Sequence, residues 1–293
     1  ELLYNRIPFS KILFMINLSL GVLSFLLLLH NSLQRNILSP KAKTISRMAG
    51  TFFSVALYLA FIFHLAGYCL RWYIGGRIPL SNGYETMQFM ALCILLIACL
   101  LHRRFSFILP FGFLLSGFAL LVSYLGQMNP QITPLMPVLV SPWLSIHVSL
   151  IMMSYALLAF IMLNGILALC LRKKESENNV SGNDAIQDNR IEQLTLVSRL
   201  LLYPATFFLG AGIFLGAVWA NVSWGRYWAW DPKEVWALIT FLVYGVAFHS
   251  QSLRIFRKPL FFHIYMILAF LTVLMTYFGV NYVLGGMHSY ANA

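Results

Sequence analysis

Eight apolar stretches, each about twenty residues long, constrain the fold of this chain more than any other feature. They cover approximately residues 12–29, 50–70, 84–101, 105–125, 147–171, 199–220, 235–250 and 260–283. A helix needs about 20 such residues to cross the hydrocarbon core of a bilayer, where lipid offers no hydrogen-bond partner to backbone groups. The sequence therefore predicts an all-α polytopic membrane protein, a bundle of about eight transmembrane helices.

The composition supports the same class. Hydrophobic residues make up 60% of the 293 residues and charged residues 10%, whereas soluble domains are about 25% charged. The net charge of +11 is unevenly distributed, so we interpret it mainly as a topology signal. It also favours contact with anionic lipid on the inner side of the membrane, and nucleic-acid binding is not indicated.

The distribution of the twenty Lys and Arg residues predicts the orientation. Fourteen follow the first, third, fifth or seventh stretch: Arg35, Lys41, Lys43, Arg47, Arg103, Arg104, Arg172, Lys173, Lys174, Arg190, Arg199, Arg254, Arg257 and Lys258. The other side holds Arg6, Lys11, Arg71, Arg77, Arg226 and Lys233. Because basic residues concentrate on the inner side, both termini and the loop before the seventh helix are expected on the outer face.

Five of the seven tryptophans lie between residues 219 and 236, at this outer loop: Trp219, Trp224, Trp228, Trp230 and Trp236. Their aromatic faces, mixed with the charges of Arg226 and its neighbours, suit a flat, mostly apolar ligand with a charged edge. An ordinary aromatic belt is the alternative. A belt occupies both interfaces of a membrane, whereas all seven tryptophans here project to the outer one.

The residues that follow the tryptophans have a purely structural interpretation. Asp231 is a good N-cap, Pro232 suits the first helical position, and Glu234 completes a capping-box pattern. This pattern predicts the start of the seventh helix without any ligand, but it does not explain the tryptophans.

Histidines add a second functional signal. His147 and His288 are expected at the outer ends of the fifth and eighth helices. Haem iron takes two axial imidazoles from different elements, and these two residues meet that demand. A single histidine near a helix end is also commonly an interfacial polar residue. His249, at the inner end of the seventh helix, is either a ligand at membrane depth or an interfacial side chain.

The segment 219–236 reads WANVSWGRYWAWDPKEVW and resembles the WWD signature of the haem-handling proteins of cytochrome c maturation. Two further features resemble the CcsA (ResC) branch of these proteins. They are His249 with its spacing to His288, and the segment PLSNGYETMQ at residues 79–88. The resemblance extends from about residue 50 to the C-terminus. It divides the chain into residues 1–49, a first helix and inner loop, and residues 50–293, a haem-handling membrane domain.

The resemblance implies a role in system II cytochrome c maturation with haem b as the cofactor. His147 and His288 would be the outer ligands and His249 one of a transmembrane pair of iron ligands. Trp224, Trp228, Trp230 and Asp231 would present the haem, with Trp219, Trp236 and Arg226 contributing to its binding. The chain would act as a haem lyase component, attaching haem by thioether bonds to the CxxCH segment of apocytochrome c.

In the family, the other transmembrane histidine comes from a CcsB (ResB) partner or from a fused CcsB portion. The chain begins at Glu1 without Met or a signal-peptide pattern, so residues 1–49 are expected to be the remnant of a fused upstream part. Autonomous activity is therefore not expected. The expected location is the bacterial cytoplasmic membrane, in preference to a thylakoid membrane, with the WWD loop on the periplasmic face.

Two other functions use the same features. A haem exporter or chaperone would bind haem without forming thioether bonds. A transmembrane redox protein would hold haem between paired histidines at fixed spacing on neighbouring helices, a pattern not evident in the sequence. A solute transporter would favour internal repeats and broken helices, which are also not evident.

Overall fold

The structure is a computed structural model that describes residues 7–34, 40–125, 131–132, 141–173, 184–250 and 252–284. Within these ranges the chain forms eight α-helices and no strand. They are α1 Phe9–Gln34, α2 Pro40–Gly75, α3 Gly83–Leu101, α4 Ile108–Leu125, α5 Pro142–Lys173, α6 Asp184–Trp224, α7 Pro232–Val246 and α8 Pro259–Leu274. Each helix overlaps one predicted apolar stretch, which confirms the all-α polytopic prediction.

Six helical segments among the described residues are long and apolar enough to cross a membrane: α1, α2, α3, α5, α6, and α8 taken together with the π-helix that continues it to Leu284. Helices α4 and α7 are not among these six. The 15 residues of α7 are continued by a 3₁₀ turn, Ala247–His249, and the two together extend about 28 Å along the helix axis. Helix α8 continues as a π-helix, Met275–Leu284.

One predicted boundary is wrong. The polar residues from Lys173 to Gln193 predict a flexible inner loop, but α6 begins at Asp184. Leu194, Val197 and Leu201 are all buried and recur at helical spacing, so packing of this face extends the helix N-terminally beyond the apolar stretch 199–220.

The chain divides into two compact units, Glu1–Met136 with α1–α4 and Pro137–Ala293 with α5–α8. In the first unit, α1 packs closely on α4. A Cβ added at Gly21 would lie 2.9 Å from Leu114, and one at Gly117 would lie 2.8 Å from Leu18, so these two glycines allow the helices to approach each other. The predicted division into residues 1–49 and 50–293 stays a prediction.

The loop between α2 and α3 carries a buried ion cluster in the first unit. Arg71 donates from Nε and Nη2 to Glu85 Oε1 at 3.1 and 2.9 Å. Arg77 donates to Glu85 Oε2 at 2.8 Å. The Glu85 and Arg71 side chains are 1% and 3% exposed, so the carboxylate is enclosed between two guanidinium groups. Asn82 caps the N-terminus of α3 by accepting a hydrogen bond from the Glu85 amide.

In the second unit, hydrogen bonds between side chains and neighbouring helices join the bundle at several levels. Ser154 on α5 donates to the Ala205 carbonyl of α6 at 2.8 Å. The Thr240 hydroxyl of α7 lies 2.9 Å from that of Thr276, in the π-helix after α8. Tyr265 on α8 donates to the Val243 carbonyl of α7 at 2.7 Å. These bonds fix α7, and therefore the loop before it, relative to the rest of the unit.

Candidate functional site

The aromatic loop occupies residues 225–231, between the end of α6 at Trp224 and the start of α7 at Pro232. Gly225 has φ +73, and its amide donates to the Asn221 carbonyl at 2.9 Å. This is the left-handed glycine that commonly ends a helix. The chain can therefore leave α6 abruptly and enter a short, non-helical loop.

The predicted capping box at the start of α7 is confirmed. The Asp231 carboxylate accepts from the Lys233 amide at 3.2 Å, and the Glu234 carboxylate accepts from the Asp231 amide at 3.3 Å. Pro232 occupies the first helical turn. Asp231, predicted to help present a ligand, is buried and acts in this structure as the helix cap.

Trp230 has an uncommon backbone conformation. Its φ is +58, in the left-handed region, which for a bulky residue costs on the order of 1–3 kcal/mol and persists only where the surroundings enforce it. Its side chain is 74% exposed. The loop therefore holds a large apolar ring outward at an energetic cost, an arrangement typical of ligand-binding segments.

Four tryptophans, two in the aromatic loop and two at the end of α6, pack edge-to-face in two pairs. Trp228 and Trp230 have ring centroids 6.1 Å apart at 86°, and Trp219 and Trp224 are 6.2 Å apart at 84°. Trp219 is buried at 2% exposure, whereas Trp224 is 42% exposed. The accessible aromatic faces are therefore those of Trp224 and Trp230, with Trp228 half-buried and Trp219 packed against Trp224.

Trp228 has an unsatisfied hydrogen-bond donor. Its indole Nε1 is buried and has no hydrogen-bond partner among the residues that the structure describes. Leaving a buried N–H unpaired costs about 1–3 kcal/mol, and such groups in native structures commonly coincide with binding sites. The loop thus contains a donor that an acceptor group of a ligand could satisfy, next to two exposed indoles.

His147 lies in the second turn of α5 and its imidazole is held by α6. Nδ1 lies 2.6 Å from the Gly212 carbonyl oxygen. Because a carbonyl only accepts, Nδ1 carries the proton, and in the neutral ring Nε2 then has the lone pair. This is the tautomer in which histidine binds a metal, with the second nitrogen bonded to a carbonyl.

The His147 ring fits against α6 because residue 216 is glycine. A Cβ at Gly216 would lie 2.7 Å from both Cε1 and Nδ1 of the imidazole, and a Cβ at Gly212 would lie 2.7 Å from Ile151. Gly216 precedes Trp224 by eight residues, about 12 Å along the helix. The imidazole is therefore held roughly two helical turns below the start of the aromatic loop.

The start of α7 is joined to the π-helix that follows α8. Lys233 Nζ donates to Asn281 Oδ1 at 3.0 Å. Lys233 precedes the apolar stretch 235–250, and burial lowers the pKa of its ammonium to about 8, with the Asp231 charge acting in the opposite direction. The Trp236 carbonyl accepts from Thr276 at 3.2 Å. His288 lies outside the described residues, four positions after the π-helix ends.

The other predicted site residues lie apart from these contacts. Arg226 is exposed in the loop. His249 is exposed in the 3₁₀ turn after α7, so its side chain is accessible at the opposite end of that helix. His263, which has no predicted role at the site, is fully buried in α8, and its Nε2 lies 2.9 Å from the Thr195 hydroxyl of α6.

Two features of the site were not predicted from the sequence. One is the pair of glycines, Gly212 and Gly216, against which His147 packs, and the other is the second hydrogen bond of the Glu234 carboxylate. Gly212 and Gly216 form a Gly-x-x-x-Gly pattern inside an apolar stretch, which is a known signal for close approach of membrane helices. That signal could have located the face of α6 that contacts α5. No local signal indicated that Glu234 also bonds to the Ala229 amide at 2.8 Å.

Comparison with known proteins places the chain among cytochrome c assembly proteins. The family described as "Cytochrome C assembly protein" matches residues 80–288. The chain is similar to the protein NrfI of Wolinella succinogenes, with 37% identity over 291 residues, and to the cytochrome c biogenesis protein CcsA of Chlamydomonas reinhardtii, with 38% identity over 232 residues. CcsA of Prochlorococcus marinus is 34% identical over 246 residues.

The shares of each protein that align differ between these relatives. The NrfI alignment covers 99% of this chain but 31% of NrfI. The two CcsA alignments each cover 75% of this chain, and 63% and 78% of the respective CcsA proteins. The chain therefore spans about a third of NrfI and about three fifths of the Chlamydomonas protein.

Proposed function

Since this chain belongs to the cytochrome c assembly protein family, we propose that it binds haem b and presents it for covalent attachment to apocytochrome c. The observation that carries the proposal is the construction of the outer end of the second unit. There, α6 holds the His147 imidazole in a metal-binding tautomer. Two exposed indoles lie nearby, that of Trp224 at the end of α6 and that of Trp230 in the aromatic loop. Its location would be the bacterial cytoplasmic membrane, with the loop on the periplasmic face.

His147 would bind the haem iron through Nε2, since its Nδ1 donates to the Gly212 carbonyl. His288 would be the second axial ligand, and it follows the π-helix to which Lys233 is bonded. Two imidazoles from separate elements match the ligation of haem iron in many proteins.

The aromatic loop would hold the porphyrin. The exposed faces of Trp224 and Trp230 suit stacking on a flat apolar ring system. The unsatisfied Trp228 N–H suits an acceptor such as a propionate oxygen, and Arg226 suits the same carboxylate by charge. Trp219 and Trp236 would support these groups from the helices on either side of the loop.

Haem would supply the two vinyl groups, across each of which the S–H bond of one CxxCH cysteine adds to give a thioether. The residues of this chain would contribute positioning, which in well-oriented reactions lowers barriers by roughly 7–11 kcal/mol. Asp231 would act by fixing the start of α7 and hence the loop. Both thiols would come from the apocytochrome, since the chain contains no CxxC pair.

At the inner side, His249 would bind haem before its transfer outward. Its exposed side chain suits a ligand shared with another polypeptide or segment. The second histidine there would come from a CcsB-like partner, and the haem lyase activity would require that partner. The short coverage of NrfI is compatible with a division of the activity between this chain and further sequence.

The proposal is tested with the purified full chain by pyridine haemochrome assay and absorption spectroscopy. We expect b-type haem in the wild type, reduced retention in His147→Ala and His288→Ala, and restoration of the spectrum by added imidazole. His30→Ala is the matched control, because His30 is exposed on α1 and has no proposed role. Equal haem content in all variants would reject the ligand assignment.

Ligase and exporter functions are separated by the product. Haem-loaded chain, with a CcsB-like partner, is mixed with a CxxCH peptide under reducing conditions, and covalent haem-peptide is measured by mass spectrometry. Thioether product that disappears in His147→Ala supports the synthase. Transfer of haem to the peptide without a covalent bond would instead support an exporter or chaperone.

A further inference from the structure

The carboxylate of Glu234 bonds to the backbone on both sides of Trp230. One oxygen, Oε2, accepts from the Ala229 amide at 2.8 Å and from the Asp231 amide at 3.3 Å. A capping box requires only the second of these bonds. The bond to Ala229 is additional, and together the two bonds bridge a short stretch of backbone that consists of Ala229 and Trp230.

Trp230, the second residue of this stretch, is the one non-glycine residue with positive φ within the described ranges. Aromatic residues rarely adopt the left-handed conformation, and it persists only where neighbouring groups enforce it. Two amides directed at one oxygen set the orientation of the Trp228–Ala229 and Trp230–Asp231 peptide groups, and the backbone of Ala229 and Trp230 must join the two. The exposed indole points outward as a consequence of this backbone geometry.

The anchor of this arrangement is rigid. Glu234 lies in the first turn of α7, and α7 is bonded to the π-helix by Thr240–Thr276 and Lys233–Asn281. Trp230 in turn packs edge-to-face on Trp228. A change at Glu234 therefore reaches two tryptophans through the backbone.

We propose that Glu234 is a positioning residue that holds Trp230 in its left-handed conformation and so orients the Trp228–Trp230 pair toward haem. This inference rests on the proposed function for the identity of the ligand, but the positioning itself concerns the protein alone. Glutamine at this position would preserve the role, because an amide oxygen can accept the same two hydrogen bonds. Alanine would abolish it.

The first measurement uses the full chain without haem. Tryptophan is replaced by 5-fluorotryptophan, and the ¹⁹F resonance of Trp230 is assigned by its disappearance in Trp230→Phe. We expect Glu234→Ala to shift this resonance and Glu234→Gln to leave it in place. Glu192→Ala, which removes an exposed carboxylate on α6, controls for the loss of one negative charge. An unshifted Trp230 resonance in Glu234→Ala would overturn the inference.

The second measurement is the formation of thioether product per bound haem. We expect a loss of about tenfold or more in Glu234→Ala, since small displacements at a reacting centre can cost on the order of 100-fold in rate, and less than about threefold in Glu234→Gln. A shifted resonance in a chain that binds no haem would support the positioning role and reject the proposed function. Full product formation by Glu234→Ala would reject the positioning role toward haem.

If Glu234→Ala does not accumulate, the test uses the double variant that combines Glu234→Ala with Trp230→Gly. Glycine adopts positive φ without steric penalty, so the double variant should accumulate and unfold at a temperature near that of Trp230→Gly alone. A double variant as unstable as Glu234→Ala would show that Glu234 stabilises something other than the Trp230 backbone, and would overturn the inference.

Discussion

Glu85 and Glu234 occupy the same local position in the two units but have different partners. Each is the third residue of a helix that begins after an Asx N-cap, Asn82 before α3 and Asp231 before α7. Glu85 bonds to the side chains of Arg71 and Arg77 and to the Ser81 amide. The Glu234 side chain, in the hydrogen bonds observed, accepts from two backbone amides.

The difference shows that the same pattern, an Asx N-cap followed by glutamate at the third helical position, has two structural roles. In the first unit, two guanidinium groups pair with the carboxylate, whose side chain is 1% exposed. In the second unit, the carboxylate supports a loop that displays Trp230 at 74% exposure. A charged cluster that is enclosed stabilises the fold, whereas a backbone that is held in a strained conformation keeps side chains available to a ligand.

Removal of the Glu85 carboxylate should have the largest effect on stability. Glu85→Ala removes the carboxylate that is paired with Arg71, whose side chain is 3% exposed, and breaking a buried ion pair costs about 3–5 kcal/mol. We expect a large fall in the thermal midpoint of the detergent-solubilised chain. Glu192→Ala, at an exposed site, should change stability by less than about 0.5 kcal/mol. Similar midpoints for the two variants would contradict the view that the Glu85 cluster stabilises the fold.

Gly216→Ala, which adds a methyl group beside His147 in the second unit, should produce the next largest loss of stability. The Cβ of Gly216→Ala would meet the His147 ring at 2.7 Å, and such overpacking costs typically 1–3 kcal/mol. Loss of the contacts that orient a metal-binding side chain also weakens metal binding by about 10–100-fold. We expect reduced haem retention, measured by haemochrome assay.

Gly245→Ala is the matched control for this change, because a Cβ at Gly245 meets no atom of the described part of the chain within 4 Å. Its haem retention should equal that of the wild type. If Gly216→Ala retains haem as well as Gly245→Ala, the imidazole does not need the position against α6 to bind iron.

Local sequence predicted the features that depend on near neighbours. The eight helices followed from apolar runs long enough to cross a bilayer, and the start of α7 followed from Asp231, Pro232 and Glu234. Both signals operate within a few residues or a single helix. For this reason the fold class and the capping box could be predicted without any tertiary information.

The features that depend on distant residues could not be predicted. Arg71 reaches Glu85 across fourteen positions, and His147 meets Gly212 across 65. The positive φ of Trp230 even contradicts local preference, since tryptophan disfavours that region. The residue that we propose enforces it, Glu234, bonds to the Ala229 and Asp231 amides, and no sequence pattern indicates the first of these bonds. His288 as the second iron ligand stays a prediction.

The smallest expected loss of stability follows from a change at Asp231, the N-cap of α7. It sharpens the comparison between the N-termini of α3 and α7. Asp231→Ala removes the acceptor of the Lys233 amide, and loss of an N-cap costs typically about 1 kcal/mol. Asp231→Ser keeps an oxygen that can accept the same bond, so its thermal midpoint should stay near that of the wild type. If serine and alanine destabilise equally, the Asp231 carboxylate contributes through its charge near the loop rather than as a cap, and the two helix starts differ more than their shared pattern indicates.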